Sequence, residues 1–388
     1  MAAAVDFRPE LTFGLFHSGN IQIIGNNPVE DETAALVVDL AVDRTTVSSN
    51  FSFAYQATYV GYRKNSGLNY LGNLLGASYT KQTSRRTGMQ ASIDVSRTDT
   101  QGIAAASVTP QGTEVSNVDR PQTFVPRTTI TRGHGVVSGS VGVGQRSLVD
   151  WGFRAGVNRY DEVPGVTFNN STSADVSGGW RYELSERTTL GLTADINWFA
   201  FEGTPNSLGQ SLALTGSHAL SHFTSMTYEL GVTRTTTADL SSLSGRFLLS
   251  FVRKLAANSS LTSAVEQIVT PGTGLQAATN DTGAWLSYMQ SSVRNGLSWA
   301  VNGSYWLRKT LPAGDEPTTE TGTLNLAGAL GWRFNRFLEL KAGYANFYQK
   351  DRNDSLSQLN TRYASYGLFL RWAIRGLSSS LPVGSRFQ

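Results

Sequence analysis

The chain has 388 residues, of which 40% are hydrophobic and 16% charged, with a formal net charge of +3 and a mean hydropathy of −0.20. Charge lies well below the roughly 25% of an average soluble domain. Yet the uninterrupted apolar runs are short, as in Ala34 to Val38, and none approaches the roughly 20 residues that a membrane-crossing helix requires. The lack of cysteine excludes a disulfide framework, thiolate metal sites and covalent c-type haem attachment by this chain, and the dispersed arginines and lysines suggest no nucleic-acid partner.

Met1-Ala2-Ala3-Ala4 has neither the charged n-region nor the full h-region of a secretory signal, and the short alanine run reads as the remnant of a cleaved one. From Glu10 to Ile374 one unit recurs: roughly 10 to 15 residues of apolar and polar alternation, a tight turn, a second such segment and a longer polar loop. Strands are predicted to begin near Glu10, Thr33, Asn50, Asn69, Gly88, Arg127, Val149, Ser171 and Thr188. The second half continues with Leu208, Ser225, Leu243, Ser259, Asn280, Gly296, Thr321, Phe337 and Gln358. Residues 1–9 then form an N-terminal periplasmic segment, 10–374 the barrel and 375–388 a periplasmic tail.

The alternation is clearest in paired segments. Leu324, Leu326, Leu330, Trp332 and Phe334 share one face, against Asn325, Ala327, Ala329 and Arg333 on the other. The next segment repeats this with Leu338, Leu340, Ala342 and Tyr344 against Glu339, Lys341 and Gly343, so the phase survives the turn. Alternation alone fits a soluble sandwich as well. Three features favour the membrane. The segments exceed the five or six residues typical of soluble strands and match the 9 to 11 that cross a bilayer obliquely. Trp151, Trp180, Trp198, Tyr305, Trp332 and Trp372 fall towards the ends of the outward stripes, as interfacial girdles do. Short turns such as Ser185-Glu186-Arg187 and Asn335-Arg336 alternate with longer loops such as 19–31 and 311–320. The expected fold is all-β: a closed antiparallel transmembrane barrel of about 18 strands, with short periplasmic turns and longer extracellular loops, wide enough for an aqueous lumen.

The longest irregular stretch, 100–126, is rich in Ser, Thr, Gln and Pro and is extracellular by parity; it reads as a surface loop, with inward folding to constrict the lumen as the alternative. The histidines His17, His134, His218 and His222 lie in no nucleophile or metal motif, and His218 and His222 straddle a turn expected at Ala219-Leu220-Ser221. Gly139, Gly142 and Gly144 lack a following helix and read as packing positions. No catalytic, cofactor or metal site is expected.

The phase of the alternation assigns Asp94, Arg154, Asp175, Arg181, Glu183, Asp195, Trp306, Arg308, Asn325, Arg333, Glu339, Lys341, Phe369 and Arg371 to the lumen. The mixed signs suit either a path for neutral or weakly charged polar solutes or mutual neutralisation between neighbouring strands. Tyr62, Tyr160, Phe199, Phe201 and Phe347 share the inward phase, fit either to stack on sugar rings or to pack against an inserted loop or partner.

Near the C-terminal end, Ser365, Gly367, Leu370 and Trp372 look like the β-signal read by the barrel-assembly machinery, although the chain continues to Arg386-Phe387-Gln388. Arg8-Pro9-Glu10-Leu11-Thr12-Phe13-Gly14-Leu15, the acidic loop after it, Tyr55-Gln56-Ala57-Thr58-Tyr59-Val60-Gly61-Tyr62 and the hairpin Tyr182 to Leu190 resemble the barrels of exopolysaccharide-export systems. The resemblance implies passive export of polysaccharide across the outer membrane of a Gram-negative bacterium, with periplasmic export components as partners beside outer-membrane lipid and lipopolysaccharide. Similarity in size to the sheaths of electron conduits keeps open a structural role around a multihaem cytochrome. An ordinary diffusion porin is the third reading.

Overall fold

The computed structural model describes residues 4–19, 29–99, 128–162, 168–203, 205–237, 240–270, 279–291, 296–310, 319–351 and 361–373. Its strands are β1 (Ala4–Ser18), β2 (Asp31–Thr45), β3 (Ser49–Tyr62), β4 (Tyr70–Ser84), β5 (Thr87–Asp99) and β6 (Thr129–Gly142). They continue as β7 (Ser147–Tyr160), β8 (Ser171–Ser185), β9 (Thr188–Phe201), β10 (Ser207–Ser221), β11 (Thr224–Thr237) and β12 (Leu240–Ala256). The last are β13 (Ser259–Thr270), β14 (Thr279–Ser291), β15 (Leu297–Thr310), β16 (Glu320–Arg333), β17 (Leu338–Asp351) and β18 (Thr361–Ala373). One 3₁₀ turn, Ser66–Leu68, lies between β3 and β4.

Each strand pairs antiparallel with its sequence neighbours, and β18 pairs with β1 from Glu10↔Ala373 to Ser18↔Ser365, closing an 18-stranded ring. Closure leaves no edge, the condition for a sheet to stand in hydrocarbon. All strand starts except the first lie within three residues of those the alternation predicts. β1 begins at Ala4, so residues 4–9 are strand, not a segment outside the barrel. They pair with β2 alone, and Pro9 falls just before the β18 ladder begins, where its missing N–H costs no bond on that side. The expected tail 375–388 lies outside the described residues.

Period two divides every strand between two environments. The outward face presents large apolar groups, including Leu326 at 48% and Leu330 at 50% exposure. Trp151, Trp180, Trp332 and Trp372 lie on that face towards the short-turn end, and Trp198 and Tyr305 towards the other, so both edges of the apolar band carry aromatic rings.

Glycine opposite an aromatic ring recurs in the wall. Gly14↔Phe369 and Gly283↔Trp306 face inward, while Gly139↔Trp151 and Gly216↔Tyr228 face outward. In each pair the ring lies over the glycine, and a Cβ on Gly283 would sit 2.3 Å from Trp306 Cε3. The ring restores the contact area that a glycine forfeits in a strand.

At the short-turn end a single hairpin design repeats. Ser84-Arg85-Arg86-Thr87, Ser185-Glu186-Arg187-Thr188, Ser221-His222-Phe223-Thr224 and Ala256-Ala257-Asn258-Ser259 each close a two-residue turn after a bulge. In the first three the serine Oγ accepts the backbone N–H two residues on, at 3.2, 3.3 and 3.1 Å. The turn after β10 is therefore His222-Phe223. The turn expected at Ala219-Leu220-Ser221 is corrected, because the bulge at Leu220 carries the strand on to Ser221.

Candidate functional site

The inner wall holds the candidate site. Every lumen candidate of the sequence lies on the face opposite the apolar band, and the fold supplies partners that single strands do not reveal. Asp94 on β5 lies 3.3 Å from His134 Nδ1 on β6. Arg154 stands opposite Asp175 in the β7–β8 register. Arg181 donates to Asp150 at 2.7 Å, and Glu183 meets Arg86 at 2.7 Å. Arg308 grips Asp281 with bonds of 3.0 and 2.9 Å. Asn325 stands opposite Phe347, and Arg333 opposite Glu339.

Two charged groups dominate. At the seam Arg371 donates to Glu10 at 3.0 Å and lies 3.5 Å from Glu339, which is 3.6 Å from Lys341. Below it Arg8 pairs with Asp43, and Gln56 donates to Asp39 at 2.6 Å. In an 18-membered ring β1 stands opposite β10. There Arg246 on β12 bridges Glu229 on β11 and Asp195 on β9, reaching across the intervening strands as only a concave face permits. Glu10, Arg8, Asp39, Asp43, Glu229, Arg246 and Asp281 were not singled out from the sequence. Their inward phase is the signal that finds them, once the strand ends are known.

Around the second group the wall on β9–β11 is lined by hydroxyls. Ser207 and Thr237 are 2.7 Å apart, Ser211 and Thr233 2.9 Å, and Thr189 and Ser217 2.7 Å. Such a surface both donates and accepts without carrying charge.

The inward aromatics lie mostly towards the long-loop end and are largely buried. Phe16, Ala35, Val60, Tyr62, Ala345 and Phe369 form one cluster, with Phe16 and Phe369 stacked at 6.3 Å. Leu68, from the β3–β4 connection, packs onto it. That connection is held by Asp31, whose carboxylate accepts the backbone N–H of Lys64 at 3.0 Å and of Asn65 at 3.0 Å and the Asn65 side chain at 2.8 Å. Val29 of the β1–β2 connection packs on the same cluster, and Phe168 of the β7–β8 connection stacks on inward Tyr160 at 5.2 Å; 100–126 lies outside the described residues. Phe199 and Phe201 form a second cluster with Val269, and Trp306 is 3% exposed over Gly283. Ser365, Gly367, Leu370 and Trp372 all lie on β18, the strand that completes the ring, with Leu370 and Trp372 outward.

An apolar outer band edged by aromatics, a polar inner wall, an even strand number and short turns confined mainly to one end define a transmembrane β-barrel of the Gram-negative outer-membrane type. No protein-family profile and no curated protein sequence matches this chain. Among solved structures it is similar to OccK2 of Pseudomonas aeruginosa, at 15% identity and a TM-score of 0.47 over 95% of this chain and 97% of that one. It is also similar to OccAB3 of Acinetobacter baumannii, at 11% identity and 0.46 over 95% and 99% of the two chains. The siderophore receptor PirA of Pseudomonas aeruginosa matches at 10% identity and 0.44 over 95% and 80%.

Proposed function

We propose that the barrel is a passive outer-membrane channel for a polar, hydroxyl-rich solute, and that the solute is a polysaccharide on its way out of the cell. The observation that supports this is the composition of the inner wall: paired charges on opposite sides and a hydroxyl surface around one of them. Internally compensated charge places little net electrostatic barrier before a sugar chain, and hydroxyls exchange hydrogen bonds with its rings as water does. The buried aromatic clusters favour packing inside the barrel over open sugar-stacking platforms.

The test is purification in mild detergent followed by planar-bilayer conductance and swelling of liposomes in neutral oligosaccharides of increasing length. A colourless, conducting barrel that passes oligosaccharides supports the reading. A preparation carrying stoichiometric haem absorption and no conductance overturns it in favour of a cytochrome sheath. Conductance with exclusion of all but the smallest sugars points to general diffusion.

A further inference from the structure

The sequence disperses its cations, but the turns gather them. Arg85 lies in the β4–β5 turn, Arg146 in the β6–β7 turn and Arg187 in the β8–β9 turn, three successive turns on the short-turn rim. Consecutive turns stand two inter-strand spacings apart, about 10 Å. All three side chains are exposed, and among the described residues none has a carboxylate within ion-pairing distance. The turns are tied to one another: Arg86 donates to the Gly144 carbonyl at 2.8 Å, and Glu183 N–H to the Arg146 carbonyl at 2.8 Å.

Glu186 shares the third of these turns with Arg187, and the turn after β16 carries a further exposed arginine, Arg336, which lies over the Phe337 ring. The turn after β2 is Thr46-Val47-Ser48, that after β10 is His222-Phe223 and that after β12 is Ala257-Asn258. At the opposite end the described connections carry Glu30, Asp161, Glu162 and Glu202 beside Arg63 and Lys64. Cations on the inner wall are compensated, as Arg371, Arg246 and Arg308 show, whereas these three guanidiniums are not. Arg86 and Arg181 continue the row inward from the rim, meeting Glu183 and Asp150.

We propose that the rim over β4–β9 is a binding site for a polyanion, an acidic polysaccharide received by the channel at its periplasmic mouth. This rests on the reading of the barrel as a polysaccharide channel and names the charge class of its cargo. Spaced guanidiniums at the entrance raise the local concentration of an anionic chain through a field that salt weakens.

The experiment uses the full chain in phosphatidylcholine nanodiscs and a short fluorescent dextran sulfate, with uncharged dextran of the same length as control. Binding is followed by anisotropy for the wild type and for the triple variant R85Q/R146Q/R187Q. A second triple, R44Q/R253Q/K309Q, removes the same charge from the outward wall. Unheated gel migration verifies that each barrel is folded. The expected result is salt-sensitive binding of dextran sulfate only, weakened at least tenfold in the rim triple and little changed in the outward one. Equal weakening in both triples, or none in the rim triple, overturns the site. Loss of binding when the discs carry phosphatidylglycerol overturns it too, since the arginines are then occupied by lipid headgroups. A barrel that binds the probe but passes no solute overturns the channel reading alone; one that conducts but ignores the probe overturns the rim site alone.

Discussion

Arg371 on the last strand donates its Nε hydrogen to Glu10 on the first at 3.0 Å, a bond between residues 361 positions apart that crosses the seam where the ring closes. The same guanidinium lies 3.5 Å from Glu339, so one cation compensates two carboxylates on flanking strands. Replacing Arg371 with alanine leaves Glu10 without this cation and Glu339 with Lys341 alone, at a cost of about 3 kcal/mol. The urea midpoint of the folded, fast-migrating form should fall, and the double change R371A/E10Q should recover part of the loss. Equal midpoints for R371A and wild type would show that the seam does not depend on this pair.

The outward face makes its own demand. Leu326→Arg, near the middle of β16, should cost about 2 to 4 kcal/mol and impair insertion into lipid vesicles. Leu340→Arg should act in the same direction. Asn325→Ser, on the inward face between them, should fold as well as the wild type. The reverse order would invert the assignment of faces in this hairpin.

Gly283 and Trp306 form a fitted pair. Gly283→Val would press its side chain into the indole ring, for an overpacking cost of about 1 to 3 kcal/mol. The shift should appear as altered tryptophan emission and a lower unfolding midpoint. Adding Trp306→Leu should relieve it; a double variant no more stable than G283V would falsify the steric account.

Asp31 holds the 63–69 connection against the inner wall. Asp31→Ala strands the N–H groups of Lys64 and Asn65 and should cost about 1 to 3 kcal/mol locally. The freed segment carries Arg63 and Lys64, both exposed, so trypsin should cut there faster than in the wild type. Single-channel conductance should rise as Leu68 leaves its cluster. Unchanged cleavage would mean that Asp31 is not the latch.

Arg246 compensates Asp195 and Glu229 opposite the seam. Arg246→Ala should leave that wall net negative and move the reversal potential in a potassium chloride gradient towards cation selectivity. A shift towards anions would remove this group from the permeation path.

Much of this was legible along the chain. Because side chains in a strand alternate strictly, Leu326 and Asn325 declare their faces without any knowledge of neighbours. The same phase carried Arg371, Glu339 and Lys341 to the inner wall. It missed the extent of β1, because Pro9 interrupts the pattern where only one neighbour is paired. It passed over Arg246 and Glu229, whose importance lies in what they touch. Loop 100–126 stands out by its length, whereas the connection latched by Asp31 is a short one with an unremarkable sequence, Arg63-Lys64-Asn65-Ser66-Gly67-Leu68-Asn69.

Strand number, antiparallel order and the separation of apolar from polar faces are written along the chain, because each follows from local periodicity and turn length. Ring closure, the partners of each buried charge, the latch on Asp31 and the gathering of Arg85, Arg146 and Arg187 on one rim were decided only by tertiary structure. Those relationships join residues distant in the chain, and their energies depend on distances that local alternation does not encode.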